Sequence, residues 1–341
     1  MNNNKYQIFK KFKQNDLNNF ASLTKENYPS NHALTDKDII AHKYLDYPYQ
    51  STFISTLSDN EKVQGRICYI NNEIIYNKKK LSSLTPQDFV INKKYRSPFT
   101  NIIKLINIPK KIQEKDFVIH TGNENSNNLY DQILKYPKYF KIDLSLILLN
   151  PFFFIKKAKF FRKFVTKFYS IILYNRDKRI KFKKEKLTNN ELKKMHNWYP
   201  EIPRFIRTEE FFHWRLANIK FDNIKIYQVE KLKGYLILAH LEYKNKKMSL
   251  VFDYFVNKTL TKHEMKSIIF EIVKLSNRKS DFIILSGNKK SCIFNKFKLF
   301  PFIKIPRKFL PHSSYFYGRK SNKNIKKIEF FHHTLIDQDW F

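Results

Sequence analysis

The apolar positions of this chain change period repeatedly, and each change marks an element. Residues 6–12 alternate apolar and polar side chains, which predicts a strand. Asp16 then fits a helix start, with the helix running to Glu26. Thr35 to Asp38 opens a second helix that ends before Pro48. Extended stretches follow at 51–58, at 63–70 and along a longer run up to Ile91. The spacing of Phe99, Ile102, Ile103, Leu105 and Ile106 predicts a helix over 98–108. Residues 116–121 read as a short buried strand, 125–134 as a helix and 140–149 as a strand. The order then recurs. A helix opens at Thr208, strands occupy 224–229, 235–241 and 248–256, a helix spans about 261–275, and 281–285 is a buried strand. Residues 328–335 read as an extended tail. Strands alternating with helical crossovers of a dozen residues predict an α/β fold with a mixed sheet in each half.

The recurrence is also literal. Asp116-Phe117-Val118-Ile119 with Gly122-Asn123 and Ser126 returns as Asp281-Phe282-Ile283-Ile284 with Gly287-Asn288 and Ser291. Asp88-Phe89-Val90-Ile91-Asn92-Lys93 returns as Asp253-Tyr254-Phe255-Val256-Asn257-Lys258 at the same offset of 165 residues. Two blocks keeping one spacing predict two copies of a domain, and the period is too long for a solenoid, whose units run about 20–50 residues. The expected organisation is a first domain over 1–150, a basic helix and linker over 151–190, and a second domain over 191–341.

Composition sharpens this picture in two places. A chain with 42% hydrophobic residues has ample core material, which excludes a disordered protein despite 28% charge. The net charge of +35 fits a polyanionic partner such as tRNA, a membrane surface or a phosphorylated cofactor. It also fits a coding bias, because Lys, Asn, Ile, Phe and Tyr all use AT-rich codons. Cys68 and Cys292 have no metal spacing and lie beside apolar stretches, so buried thiols are expected. His332-His333 lacks a third ligand at usable spacing, and no metal site is expected. Met1 to Lys5 opens no signal-type apolar region, and no apolar run approaches the roughly 18 residues of a membrane span, so a cytoplasmic protein is expected, soluble or peripheral at the inner membrane face. Residues 151–174 carry Phe160, Phe161, Phe164, Phe168 and Ile171 at helical spacing among Lys156, Lys157, Lys159, Arg162, Lys163 and Lys167, with no acid. Such a helix can lie on an anionic membrane or clamp two domains together.

The order helix, helix, strand, strand, long strand, helix, short strand, helix, strand resembles that of the GCN5-related N-acetyltransferases (GNAT). Nearly the whole chain resembles tandem GNAT proteins, most closely a group linked to surface-polysaccharide synthesis. The motifs are Asp38 to Leu45, Glu210 to Leu216, Asp88 to Arg96, Gly122-Asn123 with Ser126 and Tyr130, and the tail Thr334 to Trp340. The resemblance implies two tandem GNAT-like domains, each a mixed, mostly antiparallel twisted sheet flanked by helices. It implies acetyl-CoA or another acyl-CoA as co-substrate, its pantetheine arm paired to a splayed strand edge and its phosphates at the following helix start. Phe89, Val90 and Ile91 would supply that strand, and Lys93, Lys94, Arg96, Ser97, Phe99 and Thr100 the loop and helix start. The loop departs from the family in having no glycine in either copy.

By the same resemblance Tyr130 would protonate the leaving thiolate, with Asn123 beside it; the second copy has Asn295 in place of Tyr130. Asp337 and Asp339 form a carboxylate pair suited to an amino-sugar acceptor or to base catalysis, although a solvated terminal turn is the commoner arrangement. His213 fits a base on its helix or packing between domains beside Trp214. The implied function is an acyl-CoA-dependent N-acyltransferase acting on an amino sugar. Two alternatives stand beside it: a Fem-like transferase using aminoacyl-tRNA, and a silent GNAT-like scaffold or membrane-surface protein.

Overall fold

The computed structural model describes residues 5–29, 32–49, 52–97, 100–106, 114–122, 124–150, 164, 167–169, 171–173, 180–184, 186–217, 223–230, 233–243, 246–277, 279–299, 301–305, 315–320 and 328–337. In chain order, the first half contains β1 (Lys5–Lys11), α1 (Asp16–Asn27), α2 (Lys37–Tyr44), β2 (Phe53–Asp59), β3 (Lys62–Tyr76) and β4 (Lys79–Ile91). It continues with α3 (Thr100–Ile106), β5 (Phe117–Gly122), α4 (Glu124–Asn128) and β6 (Lys138–Leu148). The second half contains β7 (Phe182–Lys184), α5 (Asn189–His196), β8 (Arg204–Phe205), α6 (Glu209–Leu216), β9 (Asn223–Val229), β10 (Gly234–Tyr243) and β11 (Lys246–Val256). It closes with α7 (Lys262–Ser276), β12 (Phe282–Asn288), α8 (Cys292–Phe297), β13 (Ile303–Lys304) and β14 (Tyr315–Lys320).

Local chemistry explains the helix starts. Thr188 and Thr261 each form a full capping box with the Glu three residues on, at α5 and α7. Thr208 caps α6 and Asp36 caps α2. The turns Asn60-Glu61 and Asn77-Lys78 both hold positive φ, which closes β2–β3 and β3–β4 into tight hairpins. Gly65 is needed for packing: a Cβ there would meet Leu105 at 2.8 Å, so its absence lets α3 lie close on the sheet.

All the strands join one sheet of order β1-β2-β3-β4-β5-β14-β6-β12-β11-β10-β9-β7, with β13 on β6 and β8 on β3. The halves exchange strands. The last strand, β14, inserts between β5 and β6, pairing Tyr315–Lys320 with Gly122–Phe117. The second part of β6 leaves β14 and pairs antiparallel with β12, from Ile142↔Asn288 to Leu148↔Phe282. One apolar core runs through both halves, from Phe12, Phe20 and Tyr44 to Trp214, Val251 and Ile268. Apolar burial is worth about 25 cal/mol per Å², so this shared core resists separation of the halves.

Several expectations change on contact with the structure. The tail at 328–335 is not extended: Ile328–Phe330 and Leu335–Asp337 are 3-10 turns. The segment 151–190, expected as a basic helix and linker, contains β7 and the start of α5. Cys68 is buried, but Cys292 is exposed on the first turn of α8. Much of 151–174 lies outside the described residues. The described helical residues there use two faces: Tyr169 and Leu173 are buried, and Phe164, Phe168 and Ile171 face solvent. Among the described residues no helix is long and apolar enough to cross a membrane.

Burial also sets how the fold responds to acid. His120, His332 and His333 are fully buried, and desolvation lowers them to about 3, 4 and 3. The unfolded chain takes up these protons near pH 6.5 and the folded state does not. Stability is therefore complete above about pH 6.5 and falls as pH drops toward 4, by roughly 2 kcal/mol per histidine at pH 5. Urea unfolding followed from pH 7.5 to 5 tests this; a midpoint that stays constant over that range contradicts it.

Candidate functional site

The register of the two parallel strand pairs defines the candidate clefts. β4 pairs with β5 only at Ser83↔Phe117 and Leu84↔Val118. Beyond these, β4 continues to Ile91 and β5 to Gly122 with no backbone pair between them. β11 pairs with β12 from Met248↔Phe282 to Val251↔Leu285 and then also parts. Met248↔Phe282 is Ser83↔Phe117 shifted by the repeat offset. The sequence repeat therefore carries strand register with it, and each copy has a splayed parallel pair.

The two splays are filled differently. In the second, the Tyr254 hydroxyl donates to the Ser286 carbonyl at 3.0 Å, bridging β11 and β12. The segment 328–334 closes the gap further: Asn288 Nδ2 donates to the carbonyls of Glu329 and Phe331, and His332 Nε2 lies 3.1 Å from the Tyr254 carbonyl. Gly287 does not use a positive φ; a Cβ there would collide with Phe294 and the Tyr254 hydroxyl. No comparable bridge spans the first splay among the described residues. Its mouth carries exposed Lys93, Lys94, Arg96, Ser97 and Thr100. Tyr95 anchors that loop through its hydroxyl to Asp59, and Arg96 Nε folds back onto the Ile91 carbonyl at 3.1 Å. Val90 and Ile91 are buried and Phe89 packs beside the core at α3. Phe99 lies outside the described residues.

Tyr130 follows α4 in a π-helical turn and stands on the β5 side of the first splay. Its ring packs on His120 at 4.8 Å and Tyr317 at 5.4 Å. Burial raises its phenol, which keeps the hydroxyl protonated at neutral pH. His120 lies two residues beyond the last β4–β5 pair, and neither ring nitrogen has a hydrogen-bond partner. Asn123 lies outside the described residues. Asn295, opposite Tyr130 in the repeat, donates to the Lys289 carbonyl and so ties a loop.

The parted stretch of each strand, β4 and β11, carries a bulge beside a buried ion pair. β4 bulges at Asp88-Phe89, with Asp88 at a φ of 50°. Lys43 reaches Asp88 at 2.8 Å, and the Tyr44 hydroxyl also donates to it. Burial alone would raise Asp88; Lys43, Tyr44 and Arg66 together hold it below the ordinary carboxylate value. In the second copy Arg207 Nε meets Asp253 at 3.0 Å while its Nη2 donates to Asp337. Tyr235 and Thr334 complete the shell of Asp253. Asp337 is thus not a solvated turn residue: its side chain is 2% exposed, and burial raises its carboxyl against the pull of Arg207. Asp339 lies outside the described residues.

Between these two ion pairs lies a cavity of about 60 Å³. The first half contributes Lys43, Tyr47, Asn72, Thr85 and Gln87, and the second contributes Phe205, Arg207, Phe211, Trp214 and Asp337. The walls are held by contacts between the halves. The Trp214 indole donates to the His42 carbonyl at 2.7 Å, and Tyr49 stacks on Phe211 with ring centroids 5.5 Å apart. His213 points outward from α6 and does not line the cavity. Sequence reading therefore found Asp337 but missed Arg207, Tyr47 and Gln87. The signal was weak, since only the repeated Asp88 and Asp253 marked the bulges.

No protein-family model and no curated protein matches this sequence. Solved structures do. A protein of Enterococcus faecalis V583 described as a probable N-acyltransferase superposes with a TM-score of 0.62 at 11% identity, over 93% of this chain and 73% of that one. A GCN5-related N-acetyltransferase of Anabaena variabilis gives 0.60 at 11% identity, over 93% and 73%. Saccharomyces cerevisiae N-myristoyltransferase with bound myristoyl-CoA gives 0.51 at 13% identity, over 92% and 82%. The fold is that of the GCN5-related N-acetyltransferases. Its sheet is mixed and mostly antiparallel and is flanked by helices.

The shared guanidinium should dominate local stability. Arg207→Met leaves two buried carboxylates without their cation and is expected to lower the unfolding free energy by roughly 3–5 kcal/mol. Arg96→Met, on the exposed loop, should change it by no more than about 0.5 kcal/mol. Equal urea midpoints for the two variants would overturn this ranking.

Proposed function

We propose that this protein is an acyl-CoA-dependent N-acyltransferase built by internal duplication, with one working cofactor cleft. The observation that carries the reading is the contrast between the splays: the first leaves strand edges unpaired behind a cationic loop, and the second is bridged by the chain itself. An extended pantetheine arm can pair with the free edge of β4 as an added strand. Lys93, Lys94 and Arg96 sit where the phosphates of the cofactor would be held, and their exposed positive charge suits that group. The loop has no glycine, so side chains rather than close backbone approach would carry phosphate binding.

In this reading Tyr130 donates its proton to the thiolate that leaves as the amide forms, and burial keeps it protonated for that step. The cavity beyond the Asp88 bulge receives the acceptor amine. Its size corresponds to roughly four to six water molecules, so only the reacting head of a larger acceptor fits inside. An amino sugar is the acceptor we propose, in the synthesis of a surface polysaccharide. The aromatic walls from Tyr47, Phe211 and Trp214 suit the apolar face of a sugar ring, and the ring hydroxyls would find Asn72 and Thr85.

Calorimetric titration with acetyl-CoA should give one equivalent bound per chain, weakened roughly tenfold or more in the Lys93→Glu/Lys94→Glu double variant. Two equivalents, or no binding up to millimolar acetyl-CoA, would sink this reading. Tyr130→Phe should keep acetyl-CoA affinity and lose about 100-fold in acyl transfer, since general acid catalysis is worth about 10²–10⁴. A rate within threefold of the parent would remove Tyr130 from the reaction.

A further inference from the structure

We infer that Gln87 is the residue that binds the acceptor amine, and that the cavity selects the amine in its neutral form. This rests on the function proposed above and names a recognition device within the same site. Among the side chains lining the cavity, Gln87 alone has a buried oxygen with no hydrogen-bond partner. An unmet buried acceptor costs about 1–3 kcal/mol, so a native site that keeps one is prepared for a donor from outside the chain. Gln87 stands immediately before the Asp88 bulge, on the stretch of β4 past Leu84 that has already parted from β5. An N–H held by its carboxamide therefore lies between the acceptor cavity and the splay.

The polar neighbours of Gln87 are already engaged. Asn72 Nδ2 donates to the Thr85 hydroxyl at 2.9 Å, and Asn72 Oδ1 accepts from the Tyr47 hydroxyl. Tyr49 donates to the Ile206 carbonyl. Lys43 is committed to Asp88, and Arg207 to Asp253 and Asp337. Arg215 Nε donates to the Ile336 carbonyl, and Glu73 at the rim pairs with Lys80. No carboxylate lining the cavity is free of a cationic partner. Three cations, Lys43, Arg207 and Arg215, face the space against Glu73 and Asp337.

That charge pattern works against an ammonium ion. Nearby cations disfavour the protonated amine, and a carboxamide accepts a hydrogen bond without stabilising positive charge as a carboxylate would. The bound nucleophile is then R–NH₂ with its lone pair free. Its nitrogen attacks the thioester carbonyl, the C–N bond forms and the C–S bond breaks. The thiolate leaves with the bonding pair, and the proton lost by nitrogen balances the proton gained by sulfur. The first deprotonation, from ammonium to amine, takes place in solvent before binding. A primary amine of low basicity, as on an amino sugar, suits this device better than a lysine-type amine.

The test uses the full-length protein, acetyl-CoA and D-glucosamine, with CoA release followed against pH. In the parent, kcat/KM for glucosamine should rise with the deprotonation of the free amine. Gln87→Glu keeps the shape and adds a carboxylate that stabilises the bound ammonium, so the midpoint of the kcat rise at saturating glucosamine, which reports the bound complex, should move up by about one pH unit while the kcat/KM midpoint stays at that of the free amine. Gln87→Leu should lower kcat/KM roughly tenfold through acceptor KM, with acetyl-CoA affinity unchanged and the urea midpoint no lower than the parent's, since the unmet acceptor is removed. If the parent releases CoA with glucosamine and Gln87→Glu leaves the kcat profile in place, the role of Gln87 is wrong while the function stands. If the parent binds acetyl-CoA but turns over neither glucosamine nor any simple primary amine, both fail.

Discussion

One strand holds the two halves in register. β6 gives its first residues to β14 and the rest to β12, so the backbone ladder passes from one half to the other without a break. A ladder tolerates no sliding, because a shift of one residue would turn every buried side chain outward. The relative position of the Asp88 and Asp253 bulges is therefore fixed by hydrogen bonds as well as by packing. The cavity between them inherits that rigidity, as a reacting pair held to within fractions of an ångström requires. Trp214, Tyr49 and β8 add contacts on the other side of the cavity.

The buried ion pairs follow from the same arrangement. A bulge exposes a backbone irregularity next to a cleft, and its Asp must be neutralised once the halves close over it. Lys43 does this in one copy and Arg207 in the other, from different positions relative to their helices. The acid repeated in sequence is thus met by a different cation in each half. The halves differ further at the splays, where Tyr254, Asn288 and His332 fill the second as a packed junction.

The sequence shows most clearly whatever is local or repeated. Helix caps at Thr208 and Thr261, the strand ends at Asp88 and Asp253, and the repeat offset all leave marks within a few residues, and they led to the GNAT-like order of elements. The offset even predicts that both parallel pairs share a register, as they do. Strand exchange left no such mark, because the partner of β5 lies far along the chain and β14 looks like any short aromatic strand. The cavity was equally hidden. Gln87 acquires meaning only because its oxygen ends up buried without a donor, a property of three-dimensional packing. Asp337 stands out in sequence as a carboxylate for an acceptor, a base or a solvated turn, but nothing near it in sequence announces Arg207.

The position of β14 also constrains how the chain folds during synthesis. When β5 leaves the ribosome, the strand that completes its edge is still about 200 residues from being made. At about 5–20 residues per second this is a delay on the order of 10–40 s. Throughout that interval the first half presents an unpaired strand edge, the kind of surface that recruits foreign strands. Cotranslational assembly must therefore run backward through the fold, with a strand from late in the second half sealing the half that was made first. A chaperone that acts until then would have to shield the facing edges of β5 and β6, between which β14 inserts.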